Sequence, residues 1–444
     1  MGLVAKCDDG LVRNRFLLLD LRIVDHTENA KLTVGTVKKH KDNPLFGEDR
    51  PWETRIDNLY GNVIYDKKAN LYKCWYSPFL FARSAQGMDL KHRKKKYDIG
   101  NDREMGICYA TSKDGLTWNK PVLGLETYNG STKNNIVHRK RHGAGVFKDL
   151  RDPDPERRYK MMFRGLDVSF SADGLHWKAP IQCQGVEVHG DTHNNAFWAP
   201  TLGKYVGITR IWGERGRQVV RIESTDFVTW TKAEVVLEGL DSNHQTYAMP
   251  VFFHGGVYLG LVAIHEQRSD RVWTELTWSA DTKKWHRIDP GTPLIPCAGE
   301  KLAYDYGCVF ACAYPVFLKE KILLYYGGSD WLHTSWRNGS LCLATLRPDG
   351  FAGYEQAAKD KPALITTSLI PHAGQEIQVT ADVAPGGAIK VWVVDEAGHE
   401  LAAATRIIQT VTDERLELDK SFEADSIRLK FELNDAKLYS FVLK

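Results

Sequence analysis

The residues of this chain best equipped for chemistry sit in short polar strings ahead of apolar runs. They are Glu53 with Asp57-Asn58, His138 with His142, His189-Gly-Asp191-Thr-His193-Asn194-Asn195, Asp241-Ser-Asn-His244-Gln245, and Glu300 with Tyr304-Asp305. A second set trails apolar runs: Arg164-Gly-Leu-Asp167, Arg210-Ile-Trp212, His265-Glu266-Gln-Arg268, and Asp330 with His333. Two opposed carboxyls, one protonated and one ionised, are what acid–base cleavage of a glycosidic bond requires. Asp57, Asp191, Glu266 and Asp305 are the candidates for that pair. Glu266 closes an apolar run, so burial is expected to raise its pKa and suit it as the acid. Arg164, His193, Asn194, Arg210, Trp212, His244, His265, Arg268, Asp330 and His333 are the candidate substrate contacts. Trp212 offers an indole face for sugar C–H groups. His189 and His193 have ligand-like spacing, but on a loop, so substrate hydrogen bonding is expected rather than zinc. No metal or cofactor is called for, a central structural cation being the alternative.

The elements that must position these strings repeat. Ser112-Lys-Asp114-Gly-Leu-Thr-Trp118, Ser171-Ala-Asp173-Gly-Leu-His-Trp177, Ser224-Thr-Asp226-Phe-Val-Thr-Trp230 and Ser279-Ala-Asp281-Thr-Lys-Lys-Trp285 share one pattern, with Trp intervals of 59, 53 and 55 residues. A weaker fifth copy is Leu346-Arg-Pro-Asp349-Gly350-Phe351. The Ser and Asp side chains can bond turn amides, and the Trp can pack between repeats. A strand-like apolar run precedes each turn, at 71–76, 158–163, 204–209, 257–262 and 321–326. A period of about 55 residues, carrying strand and turn signals alone, predicts an all-β fold, a five-bladed β-propeller over residues 45–355. In such blades the loops entering strand one and leaving strand two share one rim, which gathers the strings above.

The period ends after residue 355. Alternating runs at 375–381, 388–394 and 426–432, with a hairpin turn at Asp395-Glu-Ala-Gly398, predict a small antiparallel β-sandwich over 362–444. Residues 1–44 are expected to pack on the propeller or the sandwich through a strand around 16–24.

The Ser-Asp-Trp turns, the five repeats and the trailing sandwich resemble the five-bladed furanosidase superfamily, which includes glycoside hydrolase families 32, 43, 68 and 117. Lys39-His40, Asn43-Pro44-Leu45, Pro51-Trp52-Glu53, Gly130-Ser-Thr-Lys-Asn134-Asn135-Ile136 and Tyr325-Tyr326-Gly327-Gly328 are similar to a bacterial group described as family 32-like. The resemblance implies a carboxylate before the first blade, here Asp57, as base or nucleophile. Of the family-32 hallmarks only Arg151-Asp152-Pro153 occurs, and its place between runs 144–148 and 158–163 puts it in a hairpin on the opposite rim.

The bulk composition narrows the partners. Fifty-nine basic against 56 acidic residues give a net charge of +3, with no global pull toward nucleic acid or membrane. No apolar run is long enough to span a bilayer. The N-terminal stretch lacks the order of a secretory signal, so the expected location is cytoplasmic, or outside the cell with a signal removed before this numbering. The eight cysteines form no Cys-Xaa-Xaa-Cys pair and read as buried thiols. The basic run Lys91-His-Arg-Lys-Lys-Lys96 falls in an insertion on the functional rim and would suit sulfated or uronic sugars. The leading expectation is an exo-acting glycoside hydrolase of an oligosaccharide or polysaccharide, anionic sugars included. The alternatives are a non-catalytic carbohydrate-binding propeller and a polysaccharide lyase using His193 or Tyr304 as base.

Overall fold

The computed structural model describes residues 13–83 and 102–444, and the basic run at 91–96 and Cys7 fall outside the described residues. The described chain is all-β, with single-turn 3-10 segments such as Leu21–Ile23 and Pro155–Arg157. No helix among the described residues is long and apolar enough to cross a membrane.

Five antiparallel meanders follow one another along the chain. The first runs through Asn62–Asp66, Leu71–Tyr76, Arg103–Ser112 and Trp118–Asn119. The second uses Gly145–Lys148, Tyr159–Phe163, Asp167–Ser171 and Ile181–Gln182. The third uses Asn195–Ala199, Lys204–Gly213, Gly216–Ser224 and Glu234–Leu237. The fourth uses Val251–His254, Val257–Glu266, Arg271–Ser279 and Trp285–Arg287. The fifth pairs Cys308–Ala311 with Ile322–Ser329 and Gly339–Leu346, and its outer strand comes from the other end of the chain, Lys38–Lys39 and Phe46–Gly47.

Each of the four Ser-Asp-Trp turns joins the third and fourth strands of its meander, whereas the fifth copy leads from Gly339–Leu346 into Ala352–Gln356 of the tail sheet. In the second, Ser171 Oγ donates to Asp173 Oδ1 (3.0 Å) and accepts from Gly174 N (2.9 Å), while Asp173 Oδ1 accepts from the amides of Leu175 and His176. The turns at Asp114, Asp226 and Asp281 repeat this bonding around their own aspartates. The aspartate is thus spent on the turn's own amides, which is why it is unavailable for chemistry.

The apolar cores lie between meanders. Trp75 and Ile107 of the first pack with Val146 and Met161 of the second, and Met162 and Phe170 of the second with Tyr205 and Trp230 of the third. Val206 and Ile208 meet Val262 and Ile264, and Leu259 and Leu276 meet Val309 and Leu324. Val63 and Cys74 of the first meander share a core with Leu323 and Leu343 of the fifth, so the series closes on itself. Seven described cysteines are free thiols, six of them buried.

The tail forms a separate sheet around two 18-residue strands, Ile377–Val394 and Ser426–Leu443. N-terminal strands join it: Arg15–Leu17 pairs with the last strand, Val24–Glu28 with Ala363–Thr367, and Ala30–Val34 with Ala352–Gln356. Residues 15–47 therefore serve both the tail sheet and the fifth meander.

Asn62 holds the inner strands together. Its Oδ1 accepts from Val146 N (3.0 Å) and faces His193 Nε2 at 3.0 Å, and its Nδ2 donates to the carbonyls of Tyr60 and Ala144. The residue is 1% exposed, so no water replaces these bonds. Asn62→Ala is expected to cost about 3 kcal/mol, because buried groups are left unpaired, read as a lowered midpoint in urea unfolding.

Candidate active site

Loops leaving the outer ends of the meanders converge on a cavity of about 400 Å³. Asp57, Asn58, Tyr60, His142, Asp191 and Tyr247 come from segments entering the inner strands. Phe79, Arg164, Arg210, Trp212, His333 and Arg337 come from segments at the far ends of the second strands. Arg55, Arg103, Met105, Arg217 and Thr334 complete the lining.

Asp57 is the most tightly held. Arg55 Nη2 lies 2.6 Å from its Oδ1 and Arg337 Nη2 2.8 Å from the same atom, and both arginines are almost fully buried. Arg337 Nη2 also donates to Asn58 Oδ1, whose amide donates to the Tyr60 hydroxyl. The backbone beneath is forced: Leu59 and Tyr60 both take left-handed φ values, +60° and +46°. Glycines on the fifth meander make room for it. A Cβ at Gly327 would stand 2.8 Å from the Asn58 carbonyl oxygen, and one at Gly339 would overlap that of Ile56 at 1.7 Å. This explains part of the Tyr325-Tyr326-Gly327-Gly328 string. Burial would raise the Asp57 carboxyl, but the charges of Arg337 and Arg55 outweigh it and hold it at about 2.

Asp191 is held loosely. Its carboxylate is 3.7 Å from Arg164 and 3.6 Å from Arg210, beyond hydrogen-bond length, and its side chain is 40% exposed. Against the raising effect of burial, His142, Arg164 and Arg210 keep it below the usual carboxylate range. Burial pushes His142 down, pushes His333 well down, and pushes the Tyr60 hydroxyl well up. Six guanidinium groups line the cavity against two carboxylates. Neutral imidazoles and an exposed Trp212, 62% accessible, complete its chemistry.

The other predicted residues lie elsewhere. Glu266 is outside the lining, and Ser269 and Asn243 donate to its carboxylate, so its pKa is lowered rather than raised as its sequence context suggested. Asp305 is fully buried, with Lys39 Nζ at 2.6 Å and the Tyr326 hydroxyl at 2.8 Å. Asn194 spends its amide on the carbonyls of Gly143, Gly190 and Thr192, and His193 sits behind Tyr60, facing Asn62. His244 bonds Asp241, Arg268 is exposed, and Asp330 accepts from Asn338 N. Tyr304 is bonded to Asn43 and does not line the cavity. Asp152 lies in the turn between the first strands of the second meander, paired with Lys160 at 2.8 Å. Arg55, Tyr60, Arg217, Tyr247 and Arg337 are cavity residues that the polar strings did not single out. Asp57 alone carried a signal for one of them, since Arg55 precedes it by two residues.

His265, Asp270 and His333 bring donor atoms within 4.8 Å of one another. Arg217 Nη1 stands 3.2 Å from His265 Nδ1, which must then accept, leaving Nε2 to carry the proton toward Asp270 Oδ1 at 2.9 Å. In that tautomer the one ring lone pair of His265, on Nδ1, is taken by Arg217, and the guanidinium would repel a cation there. The donor set fits a hydrogen-bonded chain better than a metal centre.

No family model matches the chain, and no curated protein matches it in sequence. Solved structures do resemble it. An N-acetylgalactosamine deacetylase from F. plautii, in complex with blood group B trisaccharide, is 12% identical, with 73% of this chain and 97% of that one aligned at a TM-score of 0.47. A fructofuranosidase from Schwanniomyces occidentalis, complexed with fructosylnystose, is 11% identical over 90% and 96%, at 0.43. A β-1,2-mannobiose phosphorylase from Listeria innocua is 14% identical over 70% and 96%, at 0.47. The structural neighbours include glycoside hydrolases and related enzymes.

The clamp on Asp57 has a pH signature. A carboxyl held at about 2, against about 4 when unfolded, contributes stability that is complete above about pH 4 and is lost as pH falls toward 2. Its size is on the order of 2 kcal/mol. The stability of Asp57→Asn, measured by urea unfolding from pH 5 to pH 2, is expected to fall less steeply than that of the wild type.

Proposed function

We propose that the protein is a glycoside hydrolase, acting at the end of an oligosaccharide in the Asp57–Asp191 cavity. The five meanders are read as the blades of a five-bladed propeller over residues 45–355, and the tail sheet as a sandwich over 362–444 that recruits strands from the N-terminus. The observation that carries the proposal is the presence of two carboxylates of unlike tenure on one aromatic-lined cavity. Asp57, clamped and ionised, serves as base or nucleophile. Asp191, held at a distance and half-open to solvent, becomes the acid once substrate excludes water and raises its pKa. A cavity of about 400 Å³ suits a terminal sugar better than the middle of a long chain. Trp212 at its edge suits the next sugar ring.

Elimination from a uronic-acid polymer is the second reading, supported by the guanidinium excess and the neutral imidazoles of His142 and His333. A non-catalytic binder is the third. Products separate them: hydrolysis releases a new reducing end, elimination an unsaturated sugar absorbing in the ultraviolet, and a binder neither.

Incubation with a panel of oligosaccharides is expected to release reducing ends. Asp191→Asn and Asp57→Asn should each lower kcat by about 100-fold or more with the fold retained by circular dichroism. Wild-type turnover in both variants would overturn the assignment of these two residues.

A further inference from the structure

We propose that Arg210 and Arg217 form a seat for an oxyanion carried by the sugar, so that the protein takes anionic saccharides. The shared chemistry is a carboxylate or an ester sulfate or phosphate with at least two oxygens free. The inference rests on the reading that the cavity receives sugar, and it names the class of sugar received.

Two observations build the seat. First, the hairpin of the third meander places Arg217 opposite Trp212 in register, with Arg210 two residues earlier on the same strand as Trp212. Both guanidinium groups then share two aromatic faces. Arg217 Cζ lies 4.5 Å from the Trp212 ring centre and 4.8 Å from that of Tyr247, and Arg210 Cζ lies 5.8 Å and 4.6 Å from the same rings. The stacking fixes the planes of both groups, and a fixed fork loses little freedom on binding a bidentate anion.

Second, these cations are short of counter-charge, since Asp191 is shared by Arg210 and Arg164 and no carboxylate pairs with Arg217 among the described residues. Arg210 is 3% and Arg217 9% exposed, yet Arg210 Nη1 and Arg217 Nε have no hydrogen-bond partner among the described residues. The carboxylate nearest Arg210 is Asp191, at 3.6 Å, and Asp57 is already committed to Arg55 and Arg337. Arg217 bonds only neutral groups, Gln245 Oε1 at 2.9 Å and the His265 ring. Burial, with the charge of Arg210 adding to it, holds Arg217 below its ordinary pKa. Two buried like charges side by side with open donors cost free energy unless something negative joins them. An oxyanion in the cavity would supply both guanidinium groups with the negative charge they are short of. It would also draw the Arg210 charge away from Asp191, freeing that carboxyl to hold a proton.

The test is isothermal titration of the full chain with D-glucuronate, D-glucose, inorganic sulfate and inorganic phosphate. These ligands contain no glycosidic bond, so the result stands whether or not turnover is found. Glucuronate is expected to bind at least about tenfold more tightly than glucose, and Arg210→Met and Arg217→Met should each erase about tenfold of that affinity. Thermal melts confirm that the variants fold, and the glucuronate-against-glucose comparison in the wild type decides without them. Preference for glucuronate over glucose, with glucuronate binding lost in the variants, supports the seat. Binding of inorganic phosphate or sulfate without glucuronate assigns a free anion and overturns the sugar-borne one. Equal affinity for glucose and glucuronate, no binding of any anion, or glucuronate affinity unchanged in both variants overturns the seat itself.

Discussion

The buried ion triplet of Arg55, Asp57 and Arg337 is the interaction on which the rest of the cavity depends. Arg55 precedes the first meander and Arg337 lies in the connection within the fifth, so the triplet ties together the two meanders at which the chain closes. Removing one member of such a buried group typically costs about 3–5 kcal/mol, because the survivors stay desolvated and unpaired. The same triplet fixes the electrostatics. With two cations on one carboxylate, the triplet is itself a net positive charge, and Arg337 and Arg55 add to the burial that holds the His333 imidazole in its neutral form. Closure of the fold and polarity of the cavity are one arrangement seen from two sides.

What was legible in the sequence was whatever is decided locally. The Ser-Xaa-Asp turns could be read because each aspartate answers amides two and three residues away, and that bonding survives any tertiary context. The expectation that loops at the two ends of adjacent strands share a rim also follows from strand alternation alone, and Asp57, Asp191, Arg164, Arg210, Trp212 and His333 do line one cavity. Asp152 was separable from these for the same reason, since the turn that contains it was visible between two apolar runs.

What was not legible depends on distant partners. Asp305 looks like a strand-end carboxylate framed by tyrosines, but Lys39, on a strand borrowed from the N-terminus, neutralises it. Glu266 follows an apolar strand, yet the chain turns at once and Ser269 reaches back to it. Arginines were the larger omission. Sequence gives no mark by which Arg217 or Arg337 differs from a solvated surface arginine, because burial comes from the aromatic rings and loops folded over them. Tyr60 and Tyr247 were hidden likewise, as core-like aromatics whose ring faces happen to floor an opening.

The shared use of the N-terminal segment bears on how the chain reaches this state as it leaves the ribosome. Residues 38–47 can find their partner strand only after residue 346 has been made, and residues 15–17 only after residue 442. Meanders one to four have all their own strands and can form in order, whereas the last seam waits for the strands Gly339–Leu346 and Ser426–Leu443. Before the later residues are made, Phe16 lacks the tail-sheet core it packs against, and Leu17 and Leu19 have only the fourth meander's part of theirs. The nascent chain thus carries a partly uncovered segment at residues 15–47 until those strands exist, and docking of that segment both seals the seam and seats the tail sheet.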